Sequence, residues 1–510
     1  MNTKFILSAA AFMVASSFSM SYAQSEEPDY LRSSLYTVII KSDEQNKRLE
    51  EENNQEVGNL ITSTAKSIAN TDAKKAANDN NGPLTELPAQ VFVSIPIPPQ
   101  FNDHNLATRI IEYDVLQAGM GESDIESARN ALDPEGKKGL KKKSKAGGFM
   151  KGLASGALGA ASGKDESTML KSDPVDDYGA AVVLKFIDTN NIPAQVVAKW
   201  FDYDANGAQH WGDKTFNERA LNSLSIQEQG MDGANQTLAA GKKAALLLPQ
   251  TYLLATNLKF RSNQAIMAEA QAMANAAGSM LGGYGQLASQ VAGAAAGAAA
   301  GDGYTVQANS YLFKLIWNDE VEEQIAKLMQ ENATLEDLIA SGLAQLEFVG
   351  KEKAGARVRQ SLFSDKPISS LVQRATARAV DASIAKLQEK HEEFRSIFPI
   401  SSTNADGSIN VKIGTREGVS KGDQYAILEQ QEDKDGKIIY KQIATVKPDE
   451  KKIWNNLAGA EEELAENQAN EKGKDKDFDD SAVNLGYTTF TGGKKGQDYK
   501  GYYVQLKKKK

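Results

Sequence analysis

The stretch DYDANGAQHWGD, residues 202–213, offers oxygen donors at the spacing of a calcium loop. Such a loop places ligands at its first, third, fifth and twelfth positions, with a glycine at the sixth for the sharp turn. Asp202, Asp204, Asn206 and Asp213 fill the ligand positions and Gly207 fills the turn. Two features count against the metal. The twelfth position is aspartate, not the longer glutamate that clasps calcium with both oxygens. The preceding VVAKWF also reads as a strand, whereas a calcium loop is flanked by helices. Asn-Gly favours the positive backbone angles of tight hairpins. The same polar-glycine chemistry recurs at Asn404–Gly407 and Asp433–Gly436, between β-rich runs and without a ligand set. A hairpin turn is therefore the preferred reading. Calcium at Asp202, Asp204, Asn206 and Asp213 is the runner-up, and no other cofactor is suggested.

Other chemistries find less support. The three histidines, His104, His210 and His391, stand far apart, and none belongs to an HExxH pattern. IGTREGVSKGD, residues 413–423, resembles a phosphate loop only in its glycines. It lacks the Gly-Lys-Ser/Thr ending and runs into a β-rich segment instead of a helix, so Gly418 and Gly422 read as turn positions. No Gly-x-Ser-x-Gly elbow occurs. The absence of cysteine excludes disulfides, thiol nucleophiles, thiolate metal sites and a lipid anchor on a cleaved cysteine. No catalytic residue is assigned, and the expectation is a protein that is not an enzyme. A hydrolase whose carboxylates are dispersed in sequence is an alternative, recognisable by two acids about 5–10 Å apart in a cleft.

The elements that would carry these residues come next. AAVVLKFIDTNNIPAQVVAKWF (180–201) holds two β-branched and aromatic runs separated by a turn at Asn190-Asn191. QVFVSIPIPP (90–99) reads as a strand closed by prolines, and NLATRIIEYDVL (105–116) as a short helix. TYLLATNLKF (251–260) and YTVQANSYLFKLIW (304–317) are strand candidates. Helical stretches lie between them at FNERALNSLSIQEQ and ANQTLAAGKKAALLL. Asp319 could cap a helix, with Glu322 reaching back as its third residue. Ile368, Leu371, Val372, Ala375, Ala379 and Leu387 mark one face of another helix, from about Pro367 to Phe394. Short β runs after residue 400 alternate with Gly and Asp turns, as in a small antiparallel module. The fold class is therefore α+β: an N-terminal α/β-type domain with Gly/Ala-rich insertions, followed by a small antiparallel β module.

The 510 residues suffice for several domains, and the formal net charge of -9 gives no basic field for nucleic acid. Residues 1–23 have the pattern of an export signal: Lys4, an apolar run from Phe5 to Phe18, and Ser21-Tyr22-Ala23 before Gln24. Two segments depart from ordinary globular sequence. Lys137 to Lys151 contains seven lysines and no acid, and runs into glycine-rich sequence with small residues at Gly148, Gly152, Gly156 and Ala160. Residues 270–301 carry no charge and place Gly285, Ser289, Gly293, Gly297 and Gly301 at intervals of four. Small-residue faces let helices approach closely, including in membranes, and lysines attract anionic headgroups by about 1 kcal/mol each. Alanine and glycine nevertheless supply little insertion energy.

IPAQVVAKWF, TYLLATNLKF, YLFKLIWND and TTFTGGKKGQDYKGYYVQL together resemble an uncharacterised exported-protein family of Gram-negative envelopes. Ile413-Gly414, Gly418-Val419, Gly422-Asp423 and Tyr425 resemble the small β modules of flagellar assembly protein T. These resemblances carry no catalytic residue. They imply a periplasmic or outer-membrane-associated location and a structural or assembly role among envelope proteins or at a membrane surface. A membrane-active or pore-associated protein working through 147–163 and 270–301 is the alternative. The expected organisation is a signal peptide over 1–23, then a polar helix and linker over 24–85. An α/β domain over 86–400 has insertions at 133–172 and 264–303, and the β module over 401–510 has a mixed-charge insertion at 449–481.

Overall fold

SSLYTVIIK has apolar residues on both of its alternating faces, the pattern of a strand covered on both sides, and it forms the buried strand β1 (Ser33–Lys41). The computed structural model describes residues 30–42, 87–140, 174–204, 210–224, 226–229, 231–262, 303–359, 368–469 and 480–509. The expected signal peptide, the charged run and linker after residue 42, and both Gly/Ala-rich stretches lie outside these residues, as does Asn206.

After β1 come α1 (Leu87–Ser94), β2 (Phe101–Asp103), β3 (Ile110–Glu112), α2 (Tyr113–Gln117) and α3 (Glu122–Leu132). Five further helices follow: α4 (Pro174–Thr189), α5 (Ile192–Trp200), α6 (Lys214–Asn222), α7 (Ile226–Gln229) and α8 (Gly233–Leu247). The strands β4 (Thr251–Ser262) and β5 (Gly303–Leu315) lead to α9 (Asp319–Gln330) and α10 (Leu335–Ser341), then to β6 (Leu346–Arg359) and the long helix α11 (Ile368–Lys390). These strands form a mixed sheet in the order β2-β1-β4-β5-β6, with β3 also on β1. β1 runs parallel to β2, β3 and β4, while β4, β5 and β6 are successively antiparallel.

Alternation divides the core of this sheet into two layers. Leu35, Ile39, Leu254, Leu258, Val306 and Leu312 face α11, where Leu371, Val372, Ala375, Ala379, Ile384 and Leu387 meet them. Tyr36, Val38, Ile40, Leu253, Ala255 and Phe313 face the other way, onto Val182, Val183, Phe186, Val197 and Trp200 of α4 and α5. A side chain at Gly179 of α4 would lie 2.3 Å from the Tyr311 hydroxyl, so only glycine permits this helix to seat so closely on β5.

The rest of the chain folds into a second, antiparallel sheet. It comprises β7 (Ile397–Pro399), β8 (Ser402–Thr403), β9 (Ile409–Val411), β10 (Gln424–Glu432) and β11 (Ile438–Pro448). After α12 (Ala460–Ala469) and α13 (Asp480–Val483) come β12 (Thr488–Thr491) and β13 (Tyr503–Lys508). The order is β7-β13-β10-β11-β12-β9-β8. The protein is thus α+β with a C-terminal antiparallel sheet, as its sequence predicts. Asn404–Gly407 joins β8 to β9 and Asp433–Gly436 joins β10 to β11, with Gly407 and Gly436 at positive φ.

Several element assignments are corrected. The β-branched runs over 180–200 are helices α4 and α5, divided at the expected turn by Asn191 in the left-handed region. Pro193 starts the second of them, and their apolar residues fill a face pressed on the sheet, so burial overrides weak helix propensity. The loop at 202–213 therefore joins two helices and is not a hairpin between strands. Residues 87–94 are helix, because a short apolar run has no decisive period. Within 105–116 the helix begins only at Tyr113, after β3. Asn318, one residue before the expected Asp319, caps α9 by accepting from Val321 N. β1 itself sits inside the segment expected to be polar helix and linker, where averaging over charged neighbours hid it.

Candidate functional site

Asp202 has φ 45°, and its carboxylate faces the start of α6. Its Oδ2 accepts from Thr215 N at 2.7 Å and its Oδ1 from the Thr215 hydroxyl, which supplies the opening turn of α6 with an acceptor. Asp204 N donates to His210 O, and Asp213 is the exposed residue preceding α6. Among the described residues, no three histidine, aspartate or glutamate side chains converge as metal ligands. Asp202 is thus fitted to the start of α6, and the loop is pinned by Gly212 N donating to Phe201 O at 2.6 Å.

The histidines are equally dispersed. His210 is exposed, and His391 packs where a side chain on Gly350 would stand, 2.2 Å from its Nε2. His104 is buried in a cluster of cations at the edge of the first sheet. This cluster is the most elaborate polar arrangement that sequence spacing did not reveal.

Its origin is a gap in a strand ladder. β2 and β3 lie along the same edge of β1, pairing Ser33–Leu35 with Phe101–Asp103 and Ile39–Lys41 with Ile110–Glu112. Between them the chain leaves the sheet, and side chains supply the bonds that a strand would make. Asn105 Oδ1 accepts from Thr37 N at 2.8 Å and from Thr37 Oγ1 at 3.0 Å. Arg109 donates from Nε to Thr37 O at 3.2 Å and from Nη2 to Thr37 Oγ1 at 2.8 Å. The Tyr36 hydroxyl donates to Thr108 O. Burying these edge groups unpaired would cost about 1–3 kcal/mol each.

A second tier holds the bulged loop. Arg219 of α6 donates to Asp103 O at 2.7 Å, Ser34 Oγ at 3.0 Å and His104 Nδ1 at 2.8 Å. Its guanidinium carbon lies 4.4 Å from the Trp200 ring centroid, and the His104 ring packs 5.1 Å from the same indole. With Nδ1 accepting, His104 carries its proton on Nε2 and donates to Val196 O at 2.9 Å. Burial, followed by the Arg219 charge, holds the His104 pKa well below its ordinary value, so the ring is neutral. Burial also lowers Arg219 to about 10, against the pull of Asp103 and Asp202. Lys199 donates to Asn105 O. Two cations, Arg219 and Lys199, are thus spent on acceptors of the loop, while Arg109 of the loop itself reaches out to Thr37 and Val93 O. This arrangement can orient backbone and exclude water; its imidazole has both nitrogens engaged, and the nearby Ser34 hydroxyl shares the Arg219 donor with it.

On the face of the same sheet, Asp176 in the first turn of α4 gathers a second polar group. It pairs with Lys259, accepts from Asn309 Nδ2 at 2.6 Å, and lies 4.0 Å from Lys353 Nζ. Gln307 Nε2 donates to Asn309 Oδ1 at 3.0 Å. Lysines and asparagines in the middle of the strand runs at 251–260 and 304–317 were the available sequence signal, since alternation places them on a covered face.

A third group links the two sheets. Arg374 of α11 bonds Glu462 at 2.6 Å and Glu463 at 3.2 Å, and Arg378 bonds Glu463 at 2.9 Å. Asp381 of the same helix takes Arg416 Nε at 2.9 Å, with both side chains under one-tenth exposed. From α8, Lys242 reaches Glu432 at 2.6 Å and Lys243 bonds Gln430. No known protein family and no curated protein matches this chain.

Proposed function

We propose that this is an exported, non-enzymatic component of a Gram-negative envelope, acting as a rigid structural or assembly scaffold. The observation that carries the reading is how its charged side chains are used. Asp202 serves a helix start, His104 and Arg219 serve a loop, and Asp381 and Arg416 join α11 to the second sheet. Helix α11 buries one side against the first sheet and commits Arg374, Arg378 and Asp381 to α12 and to Arg416 in the C-terminal half, which makes it a shared strut. The leader-like residues 1–23 and the cysteine-free composition support export to the periplasm or outer membrane. Envelope proteins are the expected partners. No described helix is long and apolar enough to cross a membrane.

Cell fractionation with mass spectrometry of the N-terminus tests the location. The expected product begins at Gln24 in an envelope fraction; an intact Met1 in the cytosol overturns export. Turnover of an envelope substrate by the purified protein would overturn the non-enzymatic part. The strut is tested with Arg416→Ala. Removing one partner of a buried pair costs about 3–5 kcal/mol, and limited proteolysis should then cut near residues 391–400 first.

A further inference from the structure

The hairpin β10–β11 projects beyond the rest of the second sheet. β11 pairs with β10 from Ile438 to Val446, but with β12 only at Lys447 and Pro448. Over 438–444, its other edge has no strand and no backbone hydrogen bond among the described residues. Seven residues of strand span about 24 Å, enough for an added strand of ordinary length. The arm is braced from behind. Lys242 holds Glu432, while Gln430 bonds Lys243 and donates to Glu228 at 3.2 Å.

Two kinds of side chain mark this edge. Ile439 and Ile443 are 42% and 37% exposed, so two β-branched apolar residues on one strand face water. Lys441 and Lys447 are exposed along the same strand, as is Lys437 just before it, and the three make no ion pair among the described residues. Glu429 lies opposite Lys441 in the register, but its oxygens are taken by the Tyr502 hydroxyl at 3.2 Å and Gln431 Nε2 at 2.5 Å. Lysines on an edge are a known guard against unwanted pairing. That role accounts for Lys441 but leaves the two isoleucines without a purpose. A second copy fits poorly. Full antiparallel overlap about a two-fold axis sets Lys441 against its own counterpart, and like charges directly opposite destabilise a strand pair.

We propose that residues 438–444 are a docking edge, joined as an added strand by an extended partner segment whose every second residue runs apolar, acidic, apolar along one face. Backbone bonding supplies affinity in such additions, and the side-chain alternation supplies choice of partner. Ile439 and Ile443 take the apolar positions, and Lys441 takes an acid. This inference stands apart from the export reading, because it is tested on purified protein.

The probe is a fluorescein-labelled peptide with valine, glutamate and valine at every second position and threonine between them, titrated against the full chain by anisotropy, with a twin carrying lysine in place of the glutamate as control. The acidic peptide should bind, weaken with added salt, and slow amide hydrogen exchange over 438–444. Ile439→Ser with Ile443→Ser should weaken it by about tenfold, the loss of two buried apolar contacts. Lys441→Glu should reverse the preference between the twins. Equal binding of both peptides overturns the proposal, as does unchanged exchange over 438–444 at saturation. A concentration-dependent dimer that the double substitution abolishes would also overturn it, assigning the edge to a second copy.

Discussion

Two strand edges in this protein are treated in opposite ways. The outer edge of β1 is interrupted between β2 and β3, and the gap is filled by Asn105 and Arg109 bonding Thr37. The outer edge of β11 over 438–444 is longer, carries exposed isoleucines, and is left without a strand among the described residues. The difference lies in what surrounds them. β1 is in the middle of two apolar layers, where an unpaired amide has no water to bond. β11 lies at the rim, where water satisfies the same groups until a partner replaces it. An edge is therefore closed by side chains where burial demands it and remains available where solvent permits.

The sharpest way to break the comparison is to remove Arg219, which holds three acceptors and covers Trp200. Arg219→Ala should destabilise the protein by about 3 kcal/mol, since it strands buried acceptors and an indole face together. The urea midpoint measures this, with an unchanged slope showing that the native state keeps its compactness. Asn105→Ala should cost about 2 kcal/mol by leaving Thr37 N without its acceptor. Asn105→Asp keeps an oxygen there and should recover part of that loss. If both alanine variants are neutral, the closed edge is not held by its side chains and the contrast with β11 collapses.

The closed edge was also the part least legible in the sequence. Asn105, Arg109 and Arg219 are scattered through three segments, and the His104–Arg219 contact spans 115 residues. No spacing rule connects them, because the gap that unites them is a property of the sheet. Strands β4 and β5 were legible because they are long and rich in β-branched and aromatic residues, and α11 because its apolar residues recur at helical spacing. The same β-branched residues that point to strands in the sequence form helices α4 and α5. Their burial against β1, β4 and β5 decides the conformation, and burial depends on partners distant in the chain. At 202–213 the ligand spacing was visible, but the use of Asp202 at the start of α6 required knowing that a helix begins there.

Acid offers a subtler test of the closed edge. Unfolded His104 titrates near 6.5, whereas burial and the Arg219 charge hold the folded ring well below that value. Above pH 6.5 both states are neutral and the stability is complete. Below it the unfolded chain gains a proton that the folded protein refuses, so stability falls with pH until the folded ring itself protonates. The slope from this one group approaches about 1.4 kcal/mol per pH unit. His391, also depressed by burial, adds a decline of the same sign. Subtracting the urea-derived profile of His104→Gln from that of the parent isolates the edge: the difference should grow below pH 6.5. A flat difference would mean that the ring is protonated in place and that the neutral donor to Val196 is wrong.

The smallest effect belongs to the open edge. Ile439→Ser and Ile443→Ser remove apolar groups that are already exposed, and surface changes of this kind ordinarily stay within about 0.5 kcal/mol. Ile439 stands opposite Gln431, while Ile443 lies at the register shift of the β10–β11 ladder. Neither side chain belongs to the apolar cores of the two sheets. Thermal unfolding should therefore barely move, even where strand addition is lost. Serine does give up some β propensity, which sets the direction of the residual change as slightly destabilising. A loss comparable to that of Asn105→Ala would show that the isoleucines already serve the fold. The two edges would then differ only in how they are held together, with neither reserved for a partner.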